Sequence, residues 1–217
     1  MFENIIKNVH NRHPLIHCIT NYVSINDCAN IVLACGGAPI MAEDINEVSQ
    51  ITSICHGLDI NIGMLNDNKL SAMLKAGATA NELGIPVVLD PVGAGSSDYR
   101  IKAVEKLMSN VQFSVIRGNV SEIKAIAANQ GIYNTVSGSY ETMQENKSAM
   151  GVEVSIADKI TDDNIKEMAD FIKKLSEKTG AVIAVTGGID IVADRKFAYA
   201  IRNGHKMMSL VTGAGCQ

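Results

Sequence analysis

Val87-Val88-Leu89-Asp90-Pro91-Val92-Gly93-Ala94-Gly95 is a short apolar run that ends in a carboxylate and then breaks into glycines. Its β-branched residues and its length read as a buried strand that a turn terminates. The pattern returns twice. Phe113 to Ile116 leads into Arg117-Gly118-Asn119-Val120-Ser121-Glu122, and Ala181 to Val185 leads into Thr186-Gly187-Gly188. Strands of this kind place their polar termini along one edge of an open α/β sheet, where such folds bind ligands. A fourth segment, Thr212-Gly213-Ala214-Gly215-Cys216, follows just before Gln217.

Working outward, buried strands are predicted at 15–20, 38–42, 58–62, 87–90, 113–117 and 181–186, alternating with helical patterns at 25–34, 47–55, 68–83, 98–108, 121–128 and 162–178. In the last helix Ile165, Met168, Ile172 and Leu175 form one apolar stripe, Thr161 is a candidate cap and Gly180 suits the left-handed position at its end. Strands linked by helices through right-handed crossovers make a three-layer α/β/α sandwich with a mostly parallel central sheet. After Gly188 two extended runs, 189–193 and 197–201, flank Asp194-Arg195-Lys196 and read as an edge hairpin. The stretch 129–159 has no sustained period and is long for a connection, so it is either a functional flap or a mobile insertion.

The chain of 217 residues is 47% apolar and 19% charged, a single globular domain by composition. A net charge of -4 provides no basic field for nucleic acid or anionic membrane, so a small molecule is the expected partner. No apolar stretch reaches the roughly 18 residues of a membrane span, and the N-terminus lacks the pattern of a signal peptide, which predicts a cytoplasmic protein. The five cysteines are an odd number without a Cys-x-x-Cys pair, so reduced thiols are expected. Cys18, Cys28, Cys35 and Cys55 read as core residues, whereas Cys216 lies in a glycine loop.

Each candidate group has a functional and a plain reading. Asp90 at a strand end can hold a metal ion or orient its water, or can simply form a turn. Arg117 suits phosphate oxygens through paired hydrogen bonds. Glu122 near a helix start can bind Mg²⁺ beside a nucleoside triphosphate, or can cap that helix with Asn119 or Ser121. Thr186 presents a hydroxyl at a strand end, or belongs to a turn with its two glycines. Residues 212–216 can turn successive backbone N–H groups toward one anion, a nest whose field would lower the thiol pKa of Cys216. Cys216 is then a possible proton acceptor, or only a small hydrophobe. His10, His13 and His17 resemble a metal cluster, but Pro14 breaks the helix that would align them.

The four segments in this order resemble the ribokinase-like superfamily and, within it, the hydroxyethylthiazole kinases of thiamine salvage. His17-Cys18-Ile19-Thr20-Asn21, Gly37-Ala38-Pro39-Ile40-Met41-Ala42-Glu43 and Ile60-Asn61-Ile62-Gly63 are similar to that family's own segments, as is a cysteine at position 216. The resemblance implies ATP-dependent phosphorylation of the hydroxyl of 4-methyl-5-(2-hydroxyethyl)thiazole. It implies that Asn21, Met41 and Gly213 contact the thiazole, that Arg117 and Thr186 bind ATP, that Asp90 and Glu122 govern Mg²⁺, and that catalytic Cys216 lies at the acceptor hydroxyl. It further implies a homotrimer with the thiazole between subunits, Asn21 and Met41 from one and Gly213 from its neighbour. Relatives in the family continue past the Gly-Ala-Gly-Cys segment with helices that cover the sheet, and these are expected to be lacking from residues 1–217. The competing readings are another ribokinase-like small-molecule kinase, an ATP-dependent hydrate dehydratase, or a truncated, non-catalytic binding protein.

Overall fold

A computed structural model of the chain describes residues 2–132, 159–211 and 213–216. Eight strands among them form one sheet: β1 (Leu15–Ile19), β2 (Ala38–Ile40), β3 (Gly57–Asn61), β4 (Val87–Asp90), β5 (Val115–Asn119), β6 (Val182–Thr186), β7 (Asp190–Ala193) and β8 (Ala198–Ile201). Their order is β2-β1-β3-β4-β5-β6-β7-β8, with β1 to β6 parallel and β7 and β8 antiparallel. The helices are α1 (Phe2–Arg12), α2 (Ile25–Ala34), α3 (Val48–Ser53), α4 (Asp67–Glu82), α5 (Asp98–Asn110), α6 (Val120–Asn129) and α7 (Ile165–Thr179), with a short 3-10 turn at Lys206–Leu210.

Handedness decides which face each helix covers. From β1 the chain steps one way to β2, and every later parallel step goes the other way, so right-handed crossovers set α2 on one face and the connecting helices from α3 onward on the other. Burial follows that division. Leu58, Ile60, Leu89, Ile116, Ile183, Val185 and Ile191 point toward the layer of α3 to α7 and are buried. Their neighbours Asp59, Val88, Val115, Arg117, Val182, Ala184 and Val192 alternate onto the α2 side and stay half-buried. The expected three-layer α/β/α class with a mostly parallel sheet is the class observed.

The expected hairpin is present, closed by Asp194, whose Oδ1 accepts from the backbone N–H groups of Lys196 and Phe197, each at 2.6 Å. Gly180 ends α7 in the left-handed conformation with φ 74°. Its first residue differs from expectation, because Asn164 is the N-cap and its Oδ1 accepts from the Thr161 N–H instead of Thr161 capping the helix. Cys18, Cys28 and Cys55 are buried, but Cys35 is exposed, since it caps the C-terminus of α2 where the apolar stripe has run out. Helix α1 was not foreseen. Of the irregular stretch 129–159, residues 133–158 lie outside the described residues.

Candidate active site

Strand β1 has β2 on one side and β3 on the other, which makes the carboxyl ends of β1 and β3 the topological switch point of the sheet. A chain of side-chain hydrogen bonds crosses it. Asn21, just after β1, accepts on Oδ1 from the Ser24 N–H and hydroxyl, both at 3.1 Å. Its Nδ2 donates to Asn61 Oδ1 at 3.1 Å, and Asn61 Nδ2 donates to Asp90 Oδ2 at 2.6 Å. Fixing both ends of each amide leaves one orientation for each. Gly63 is required beside them, since a Cβ there would sit 2.9 Å from Asn61 Oδ1 and 3.0 Å from Asn21 Nδ2.

Cys216 joins this chain. Asn21 Nδ2 lies 3.4 Å from Cys216 Sγ, and the Cys28 thiol reaches the Cys216 carbonyl at 3.4 Å. Asn21 meets Cys216 within one chain. The expected nest differs, because the N–H of Ala214 bonds the Val211 carbonyl and that of Cys216 bonds the Gly213 carbonyl, so neither points at a common anion site. Gly213 does take the positive φ, 79°, that a tight turn needs. Thr212 lies outside the described residues.

Asp90 ends β4 as expected. Burial pushes its carboxyl up to about 7, opposed by the Arg117 guanidinium and raised further by the charges of Glu122 and Asp59. Arg117 Nη1 stands 3.9 Å from Asp90 Oδ2. Sequence had put Arg117 at the end of its strand; it lies in the middle of β5, which runs two residues further to Asn119. Asn119 ends the strand and caps α6 at once, in a capping box with Glu122.

Glu122 does more than cap. One carboxylate oxygen accepts from the Asn119 N–H at 2.8 Å and the other from the Gly93 N–H at 2.9 Å, so it ties the β4 loop to the start of α6. Gly118 admits this, since a Cβ there would lie 2.9 Å from Glu122 Oε2. Thr186 ends β6 opposite Asn119 and is half-buried on the same face as Arg117. Met41 is half-buried in the loop after β2, beside Ala42, whose carbonyl lies 2.7 Å from His17 Nε2. His17 Nδ1 meets the Thr52 hydroxyl at 2.9 Å, and burial lowers its pKa, which keeps it neutral. The structure therefore brings Asn21, Asp90 and Cys216 together, joins Arg117 and Glu122 to them, and sets Met41 and Thr186 at the flanks.

Sequence reasoning missed two groups. Asn61 was visible only as part of a quoted segment, yet it links Asn21 to Asp90. Arg100, in the first turn of α5, donates to the carbonyls of Ile62, Val92 and Gly63 and so locks the β3 and β4 loops together. A single arginine two residues into a helix gives no sign of three backbone acceptors elsewhere in the chain.

Asp59, inside β3 on the same face, has its carboxyl pushed up to about 6 by burial, with Arg117 opposing. A raised carboxyl pKa adds stability below its ordinary value of 3.8 that is lost as pH rises through about 6. Asp59→Asn is therefore expected to gain stability over the parent at pH 7.5 and to lose that advantage near pH 4. Urea midpoints at the two pH values check this, and an advantage equal at both would remove the titration as its cause.

The Hydroxyethylthiazole kinase family model matches residues 6–217. A hydroxyethylthiazole kinase of Clostridium acetobutylicum is 52% identical over 216 residues, which cover 100% of this chain and 73% of that protein. One from Methanobrevibacter smithii is 46% identical over 212 residues, covering 98% and 70%. Among solved structures, the hydroxyethylthiazole kinase protein from Pyrococcus horikoshii OT3 superposes with a TM-score of 0.80 at 32% identity, covering 98% of this chain and 71% of that one. A ribokinase-like superfamily protein from Enterococcus faecalis V583, 11% identical with a TM-score of 0.54, shares the fold. With the Asn21–Asn61–Asp90 chain at its switch point and these likenesses along its whole length, the chain belongs to the hydroxyethylthiazole kinase family.

Proposed function

We propose that this protein transfers the γ-phosphoryl group of ATP to the hydroxyl of 4-methyl-5-(2-hydroxyethyl)thiazole. The observation that carries the reading is the chain of hydrogen bonds that links Cys216 through Asn21 and Asn61 to Asp90 at the switch point, in a chain of this family. The acceptor oxygen attacks the γ-phosphorus, the bond to the bridging oxygen breaks, ADP leaves with its electron pair, and the hydroxyl proton passes to a phosphate oxygen or to water. Asn21, Met41 and Gly213 hold the thiazole, Cys216 orients the acceptor hydroxyl, and Arg117 with Thr186 holds the triphosphate. Positioning and charge stabilisation supply most of the rate.

Asp90 and Glu122 fit Mg²⁺, because hard carboxylate oxygens at the phosphate end of the sheet suit an ion that keeps several waters and takes its other ligands from phosphates. Both Glu122 oxygens already accept a backbone N–H, which favours an orienting role through water. When bound, the ion would offset the charge of the phosphates. A trimer belongs to the same reading, supported by the exposed Tyr22 and Val23 that follow Asn21 and by the exposed Ile31 and Leu33 of α2. So does a cytoplasmic setting, supported by the free cysteines; no helix among the described residues is long and apolar enough to cross a membrane.

A coupled assay for ADP on the intact protein tests the proposal. Turnover is expected with hydroxyethylthiazole, ATP and Mg²⁺ together, and to fall away when any one is left out. Turnover of hydroxymethylpyrimidine with none of the thiazole would refute the substrate. Light scattering of the same preparation is expected to give the mass of three subunits.

A further inference from the structure

Lys69 is an unusual lysine. It stands in the first turn of α4, where a long cation ordinarily reaches solvent, yet it is 2% exposed. Its Nζ donates to the Thr20 carbonyl at 2.8 Å and pairs with Glu43 Oε2 at 2.7 Å, and it lies 4.1 Å from the centroid of the Tyr22 ring. The Tyr22 hydroxyl closes the circuit by donating to the other Glu43 oxygen. Burial alone would raise the Glu43 pKa, but the bonds from Lys69 and Tyr22 hold it below the usual carboxylate range.

What the ammonium holds matters more than the pair itself. Thr20 and Tyr22 flank Asn21 in the loop after β1, and Glu43 lies two residues past Met41 in the loop after β2. One side chain from a third segment therefore pins the two loops that carry both candidate thiazole contacts. Its donors face protein groups, so it has no role at the triphosphate. Lys69 is buried while the Glu43 side chain stays 38% exposed; an ion pair with a buried partner contributes little to stability relative to apolar packing, and its best-attested use is to fix one arrangement among several.

We propose that Lys69 is a positioning residue of the thiazole site, clamping the Asn21 and Met41 loops in register through Glu43 and Tyr22. This rests on the kinase reading above for the identity of the ligand. The clamp itself does not depend on it.

The test uses Lys69→Leu, and Lys69→Leu combined with Glu43→Gln so that the carboxylate is not left without its cation. In the intact protein both variants are expected to raise KM for hydroxyethylthiazole at least tenfold while KM for ATP stays within twofold. The double variant is expected to recover melting temperature without recovering the thiazole KM. A second readout needs no turnover: the ¹³C-methyl resonance of Met41 should shift or broaden in the double variant while that of Met108, on α5, stays in place. An unmoved Met41 methyl, or equal rises in both KM values together with a lower melting temperature, would overturn the proposal. A displaced Met41 methyl in a protein whose parent form does not turn over the thiazole would sustain the clamp and overturn the substrate reading alone.

Discussion

Arg117→Ala is expected to weaken ATP binding about 10- to 150-fold, the equivalent of one charge-assisted hydrogen bond at about 1.5–3 kcal/mol, while thiazole affinity changes little. The asymmetry follows from position. Arg117 projects from the middle of β5, while Asn21 and Met41 leave the sheet after β1 and β2, three or more strands away. The substitution also removes the charge that opposes the rise in the Asp90 pKa, so Asp90 should titrate higher in the variant. Arg117→Lys should recover part of the loss, since an ammonium keeps the charge but lacks the planar fork. Calorimetric titration with each substrate separately checks the claim. Equal weakening of both, with a lowered melting temperature, would make Arg117 a structural residue.

Cys216→Ala is expected to lower the single-turnover rate of phosphoryl transfer by ~10²-fold, the scale of a lost positioning contact, with both substrates still bound. The thiol sulfur accepts from Asn21 Nδ2 at 3.4 Å, and Asn61 links that same amide to Asp90, which places the thiol to orient the acceptor hydroxyl. Cys216→Asp should keep or increase the rate, because a carboxylate can accept the same contact from Asn21. It would also set a second acid beside Asp90, raising that carboxyl further, and this pH shift is a distinct mark of the geometry. An unchanged rate in the alanine variant would reduce Cys216 to a packing role. Loss of all activity in the aspartate variant, with the fold intact, would show that the assigned contact is wrong.

What the sequence conveys well is local. The stripe of Ile165, Met168, Ile172 and Leu175 with Gly180 behind it specifies α7 because period and C-cap agree, and the Asp194 turn specifies the β7–β8 hairpin in the same way. Helix α1 carries a period without the burial that usually goes with one: Phe2, Ile5, Ile6 and Val9 stand at helical spacing, yet Ile5 and Ile6 lie exposed. The two-residue shift of β5 has a physical source: Asn119 serves as strand end and helix cap together, leaving no loop to mark the boundary.

The site is legible in part for the same reason. Asp90, Thr186 and Cys216 carry their message in their immediate neighbours, an apolar run before them or glycines around them. Asn61, Arg100 and Lys69 do not, because their partners lie 29 to 49 residues away for the contacts Asn61–Asp90, Arg100–Ile62 and Lys69–Thr20. Local pattern cannot register such pairings, and a lysine in a first helical turn looks like any solvated cation until the fold encloses it. The amide hydrogen bonds of Ala214 and Cys216 belong to the same class: small residues permit a nest but do not specify where each N–H points.

The strand order has a consequence for how the molecule is made. The order β2-β1-β3-β4-β5-β6-β7-β8 lets β2 settle against one side of β1 and β3 against the other as the chain leaves the ribosome, and lets each later strand add to a single advancing border of the sheet. No strand after β3 waits for a distant partner still to be synthesised, so assembly can keep pace with translation despite the parallel pairing that slows folding in general. The advancing border always exposes unpaired amides and carbonyls, and on a crowded message it is open to strands of sister chains. Emergence of β7 and β8 turns the sheet antiparallel and ends that parallel growth. Nascent chains stalled after β5 should accordingly cross-associate more readily than chains stalled after β8, a difference that sedimentation of the released polypeptides would measure.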